Sequence, residues 1–280
     1  MTVSTADHVR DAVCGKLVLP MIPRVVRSTM SLLRQPDAGS HEIAAELSKD
    51  PVLCARLLRL ANSPFYGGRR QVASIEDAVA TVGGHALGTL LVAAGVVAAF
   101  AEVPGVHLRD FWTHAATAAA ATRALAQRTG IDREAAYLSG LLHEGGHLIL
   151  CLALREAATL HFDRQRSRHG QALADAELAA FGATHPQVSA QWCRGLELPD
   201  AVSDAVANSL LPPPGEAGRL AAILRIGASL ATAIGNDETH TVALSRIDRD
   251  LAAQARLDQD DFAADFADHY AGLRQAGNDF

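Results

Sequence analysis

The chain has 280 residues, 49% of them hydrophobic and 20% charged, with a formal net charge of −6. That length and balance suit a globular protein with one large core or two lobes, and they exclude a disordered or fibrous chain. The acidic balance, with arginines scattered and Arg69-Arg70 the one adjacent basic pair, gives no electrostatic footprint for DNA.

In chain order, the opening MTVSTADHVRDAV has no continuous apolar segment or cleavage pattern, so no signal peptide is expected. Ser40 is expected to cap a helix through EIAAEL. Asp50-Pro51 supplies a cap and a first-turn proline for VLCARLLRLA, in which Leu53, Leu57, Leu58 and Leu60 are the expected packing anchors. Asn62-Ser63-Pro64 and Gly67-Gly68 stop it. Ser74-Ile-Glu-Asp77 resembles a capping box ahead of a long apolar helix. Residues 78–101 carry no Asp, Glu, Lys or Arg and could span a bilayer by length alone. They are Ala/Gly-rich, interrupted by Gly83-Gly84 and lack basic or aromatic anchors at their ends, so a buried helix is expected and not membrane insertion.

After Pro104-Gly105, DFWTHAATAAAATRALAQRTG reads as a helix that stops at Gly130, and Asp132 caps REAAYLSGLLHE. LCLALREAATLHFDRQRSR continues the pattern, a helix after Pro186 ends near Gly195, and Leu198-Pro199-Asp200 opens the next. Pro212-Pro213-Pro214-Gly215 cannot continue a helix and marks a boundary near 213. Beyond it lie AGRLAAILRIGASLATAIG and, from about Asn236, a last polar pair of helices expected to be accessory. No stretch alternates as a strand would, so the fold class is all-α. Cys14, Cys54, Cys151 and Cys193 stand far apart with no C-x-x-C, which reads as reduced cytoplasmic thiols.

GLLHEGGHLIL, residues 140–150, contains His-Glu-x-x-His. On a single helix, His143 and His147 would share a face and could hold zinc, with Glu144 activating its water. Gly145-Gly146 weakens such a helix, and LILCLALRE lacks the G-x-x-H continuation. Glu156 or Glu177 as a third ligand has no accompanying motif, so a metalloprotease is disfavoured.

Three motifs occur in order: L-P-x-x-P at Leu19 to Pro23, D-P-x-L-x-x-x-L-L-x-x-A-N-S at Asp50 to Ser63, and S-I-x-x-A-V-x-x-x-G at Ser74 to Gly83. With FWTHA at 111–115, GLLHEGGHLIL and THPQVSAQWCRGLELP at 184–199, this combination resembles the HDOD family, whose fold is similar to the HD metal-dependent phosphohydrolases. The resemblance implies two helical lobes within 16–213, the first ending near 104 and the second an HD-like bundle. A C-terminal helical region, 214–280, would follow, and its first helix could complete the bundle.

An active HD site needs a His, an adjacent His-Asp pair and a later Asp. The resemblance puts His114 at the first position and His143 at the pair, with Glu144 replacing its Asp. His185 stands where another His often occurs, and His147 where a lysine follows the pair. Asn208-Ser209 replaces a His-His pair of the HD-GYP branch, and Ala228 or Ser229 stands where the last Asp would be. The resemblance thus implies a degenerate metal site and no required cofactor, with a residual Zn, Ni or Mn ion on His114, His143, Glu144, His185 and His147 left open. It further implies a bacterial regulatory protein, not an enzyme, that works with receiver, cyclic-di-GMP or kinase components or a small ligand. The alternatives are a phosphohydrolase acting on a nucleotide or cyclic nucleotide and a Ni/Zn-responsive sensor.

Overall fold

The computed structural model describes residues 22–35, 37–62, 71–155, 158–159 and 168–278, and every regular element among them is a helix. Cys14, Leu19 and Pro20, the Ser63-Pro64 and Gly67-Gly68 stops, and 156–157 and 160–167 lie outside the described residues. The chain forms two compact units that divide near residue 101.

The first unit holds α1 (Arg24–Leu33), α2 (Ser40–Leu47), α3 (Pro51–Ala61), α4 (Ile75–Val82) and α5 (Gly84–Ala98). Asp50 accepts from the Leu53 N–H and Ser74 from the Asp77 N–H, each at 3.0 Å. Both satisfy first-turn donors that a helix cannot pair internally. Ser40, expected as a cap, is instead the first residue of α2, because the Gly39 carbonyl already accepts from Glu42 and Ile43. The apolar run at 78–101 is likewise not one helix: Gly83, at φ +82°, breaks it into α4 and α5. Only glycine adopts that backbone without strain, so the break falls there.

Helix α5 is buried from Leu87 to Val96 and forms the centre of this unit. Helix α1 lies on it, and a Cβ at Gly95 would come within 3.0 Å of Val26. Leu53, Leu57 and Leu60 point inward from α3, whereas Leu58 is half-buried. Asn62 accepts from the Val72 N–H and donates to the Val72 carbonyl, both at 2.8 Å. One amide side chain therefore ties the exit of α3 to the approach to α4.

The second unit holds α6 (Leu108–Thr129), α7 (Arg133–Leu142), α8 (Gly145–Ala153), α9 (Gly170–Phe181), α10 (His185–Gly195) and α11 (Asp200–Ala207). After one 3₁₀ turn come α12 (Arg219–Gly235), α13 (His240–Ser245), α14 (Arg249–Ala255) and α15 (Gln259–Asn278). Asp132 caps α7 by accepting from Glu134 and Ala135. Helix α8 ends at Ala153.

The unit is built around α6, which is buried continuously from His114 to Thr122. Its Ala/Thr surface lets three helices approach through glycines. A Cβ at Gly140 of α7 would lie 2.5 Å from the Ala119 Cα, one at Gly227 of α12 would lie 2.9 Å from the Thr122 N, and one at Gly277 of α15 would lie 2.9 Å from the Thr113 carbonyl oxygen. The threonine hydroxyls donate back to Thr113 and Ala118 within α6, so no polar group is stranded in these contacts.

The last helices, expected to be accessory, are part of this packing. Phe266 is fully buried, Phe262 and Tyr270 nearly so, and Arg128 of α6 pairs with Asp261 and Asp265 of α15. Among the described residues, Glu216–Gly235 is the helical stretch long and apolar enough to cross a membrane, and 61% of its apolar window is buried.

Two stability predictions follow from this packing. Leu57→Ala should cost about 2–5 kcal/mol, since the side chain is fully enclosed; wild-type-like urea unfolding would remove Leu57 from the core. Gly140→Ala should cost about 3 kcal/mol, because backbone and not a flexible side chain stands in the way of its methyl. An unchanged melting temperature in that variant would show that α7 can move away from α6 freely.

Candidate functional site

In the second unit, α6 carries His114, the junction of α7 and α8 carries His143 and Glu144, and α8 carries His147 and Cys151. His169 immediately precedes α9, Glu177 lies within α9, and His185 opens α10. His-Glu-x-x-His is not on one helix: His143 closes α7, and Glu144, at φ −102° and ψ 4°, turns the chain into α8. The two histidines therefore serve different partners.

The glycines that seemed to weaken this segment are required by its packing. A Cβ at Gly145 would meet the Trp192 ring at 2.6 Å, and one at Gly146 would lie 2.6 Å from the Ser189 N. The Ser189 hydroxyl accepts from the Gly146 N–H at 2.7 Å and donates to the His143 carbonyl at 3.0 Å. One buried hydroxyl of α10 thus fixes the turn that presents His143 and Glu144.

His114, His143 and Glu144 converge, with one ligand atom from each lying within 4.8 Å of the others, all three residues buried. Each Glu144 oxygen faces one histidine Nε2 at 3.8 Å, Oε2 toward His114 and Oε1 toward His143. Each oxygen also takes a hydrogen bond from the start of α9: His169 Nδ1 reaches Oε2 at 2.7 Å, and the Gly170 N–H donates to Oε1 at 2.8 Å. The His169 ring stacks on His114, with centroids 3.4 Å apart and planes 15° from parallel.

His143 Nδ1 lies 2.7 Å from the Gly140 carbonyl oxygen, which can only accept, so Nδ1 carries the proton and Nε2 keeps its lone pair. His185 is fixed the same way. Its Nδ1 and backbone N–H both donate to Glu177 Oε2, at 2.7 and 2.6 Å. The Nε2 atoms of His114, His143 and His185 are buried without a hydrogen-bond partner. His185 stands near enough to His143 for its charge to oppose protonation there.

His147 faces away from this cluster. Its Nδ1 donates to Glu177 Oε1 at 2.8 Å, and the Cys151 thiol lies 3.6 Å from Nε2. Asn208 ends α11 by donating to the Asp204 carbonyl, and Ala228 is half-buried on α12. Neither position supplies a carboxylate.

Electrostatics sort these groups by charge. Burial alone would raise the Glu144 carboxyl, but the charge and hydrogen bond of His169, with His143 and His114, outweigh it and hold the group well below the usual carboxylate range. Glu177 is also held low, burial being outweighed by His185 and His147. Burial pushes the His114 imidazole well below its usual value, His169 adding to the effect and Glu144 opposing it. His143 is lowered chiefly by burial, against the pull of Glu144 and the Gly140 carbonyl. At neutral pH the pocket therefore presents a carboxylate beside neutral imidazoles, His143 with its Nε2 lone pair free, the donor type that borderline divalent metals take.

Sequence reasoning did not assign His169 a role and considered Glu177 only as a zinc ligand. For Glu177 a signal existed: Leu173, Glu177 and Phe181 are four apart on one buried stripe of α9, so an acid stands where an apolar residue would. Nothing local marks His169.

The family model described as HDOD domain matches residues 19–212. An uncharacterized protein of Treponema pallidum (strain Nichols) is 25% identical over 209 residues, or 74% of this chain. The match covers 39% of that relative's length. Among solved structures, an HDOD domain protein of unknown function from Geobacter sulfurreducens aligns with TM-score 0.74 at 22% identity, covering 98% of this chain and 97% of that one. A candidate phosphohydrolase from Shewanella amazonensis SB2B aligns with TM-score 0.71 at 24% identity and covers 98% of both chains. At these identities the structural likeness speaks for the fold.

Glu177 accepts three hydrogen bonds from two histidines while fully enclosed. Glu177→Ala should destabilise the second unit by about 3–5 kcal/mol, as loss of one partner leaves buried polar groups uncompensated. Denaturant unfolding checks this, and a cost below about 1 kcal/mol would mean that water replaces the carboxylate.

Proposed function

The chain belongs to the HDOD domain family, and on that premise we propose that it is a non-catalytic signal-transduction protein acting by binding a protein partner or small ligand. The observation that carries this reading is the make-up of the pocket at His114. It contains one carboxylate among imidazoles, and every donor in it is buried. A divalent phosphohydrolase site needs more oxygen donors and an open position for an activated water and its substrate. Asn208 and Ala228 supply neither of the missing ligands. The proposed partners are receiver, cyclic-di-GMP or kinase components, in keeping with the family's signalling role.

A second reading, cation sensing, is supported by the three buried Nε2 atoms without partners. Two ligands bound to one zinc can stand at most about 4.2 Å apart, given metal–ligand bonds of about 2.1 Å. The 3.8 Å separations of Glu144 from His114 and His143 lie within that span. His114, His143 and Glu144 would hold the ion, with the unpartnered Nε2 of His185 as a further donor. His147 is directed to Glu177 and would stay outside. Bound there, Zn, Ni or Mn would supply charge and geometry to a closed site.

Activity assays separate these readings from a hydrolase. With Mn²⁺, Ni²⁺ or Zn²⁺ present, the protein should release no product from cyclic dinucleotides, nucleoside phosphates or peptides above the rate of Glu144→Gln. A chelator-sensitive rate that disappears in Glu144→Gln would replace the regulatory reading with an enzymatic one.

A further inference from the structure

We infer that His169 is the positioning residue of a zinc- or nickel-class cation site: it holds the Glu144 carboxylate toward His114 and His143 and joins that site to the start of α9. The inference rests on the cation reading above and extends it to a residue outside the expected ligand set.

Two distances define the arrangement. His169 Nδ1 and the Gly170 N–H each hold one Glu144 oxygen, at 2.7 and 2.8 Å, from the side of α9. His114 and His143 stand 3.8 Å from the same two oxygens, beyond hydrogen-bond distance, and the His169 ring lies flat against His114. A carboxylate has about four lone-pair sites, so two outer hydrogen bonds still leave capacity for an ion.

The same outer support recurs at two other donors. The Gly140 carbonyl fixes the His143 tautomer, and Glu177 fixes that of His185, each leaving Nε2 buried and unpartnered. An imidazole oriented by its other nitrogen and a carboxylate oriented by outer donors are how proteins prepare metal ligands, and removing such a support typically costs about 10–100-fold in metal affinity. Imidazole-rich donors favour zinc or nickel over magnesium or calcium. The stack of His169 on His114 adds a second hold, since the ring that orients Glu144 also limits where His114 can turn.

His169 is the N-cap residue of α9 and Gly170 is its first residue. An ion drawing on Glu144 therefore acts on the first turn of α9 through two hydrogen bonds. The same helix carries Glu177, which holds His185 and His147. Cation binding is in this way linked to the position of a whole helix, as a sensor requires.

The test is a titration of the full chain with Zn²⁺ and with Ni²⁺ against a chromophoric chelator. The wild type should bind one ion. His169→Ala should bind about 10–100-fold more weakly while its circular dichroism stays that of the wild type, although its melting in chelator falls because the buried Glu144 carboxylate loses a donor. His169→Gln, whose amide can still donate to the carboxylate, should recover part of the loss. Equal or tighter binding by His169→Ala, or no recovery in His169→Gln, overturns the role of His169 and leaves the cation reading standing. A wild type that binds neither ion overturns both. If the alanine variant does not fold, hydrogen exchange of the wild type decides: Zn²⁺ must slow exchange in the peptide carrying the Gly170 amide, and unchanged exchange overturns the link to α9.

Discussion

The second unit depends on how closely other helices can approach α6. Alanine and threonine along its buried length keep that surface low, and glycines at 140, 227 and 277 remove the side chain from the opposing helix. Gly140 has two roles in this contact. Its missing Cβ lets α7 reach the backbone of α6, and its carbonyl accepts the proton of His143 Nδ1. Packing and site geometry are therefore set by one residue, and a displacement of α7 would carry the orientation of His143 with it.

The buried charge in this unit is arranged as two carboxylates, each shared among histidines. Glu144 gathers His169 and faces His114 and His143, while Glu177 gathers His147 and His185. An enclosed carboxylate without such neighbours would give up its charge. Here histidine and backbone donors keep both ionised, and the cost of burial is offset by hydrogen bonds reaching across four segments of chain. The pocket is thus rigid for electrostatic reasons as well as through close packing.

Much of the fold was legible in the sequence because its signals are local. Asp50, Ser74 and Asp132 cap the helices they were expected to cap, since a side chain three residues or fewer from its backbone partner needs no tertiary context. Ser40 missed by one residue for a similar reason: Gly39 and Ser40 can both begin a helix, and the backbone chose the glycine. The break in the apolar run at Gly83 depends on a backbone angle that a Gly-Gly pair permits but does not specify. His114, His143 and Glu144, singled out through motif order, come together in the fold. His169 was not singled out, because its partner lies 25 residues away and no periodicity connects them. The glycines of HEGGH do interrupt the helix as expected, but their packing role was not legible, because the ring and backbone that require them belong to α10.

Cys151 and Cys193 are fully enclosed in the second unit, and burial raises both thiols, Cys193 to about 12. Cys54 sits in the first unit, half-buried, with its thiol donating to the Leu47 carbonyl. The thiolate is the reactive form, so the two enclosed sulfurs stay silent toward an alkylating reagent until their unit opens. The two enclosed side chains thereby act as timers on the second unit alone: the label they acquire records when that unit loosens, and Cys151, in contact with His147, reports the moment at which the histidine and carboxylate network comes apart.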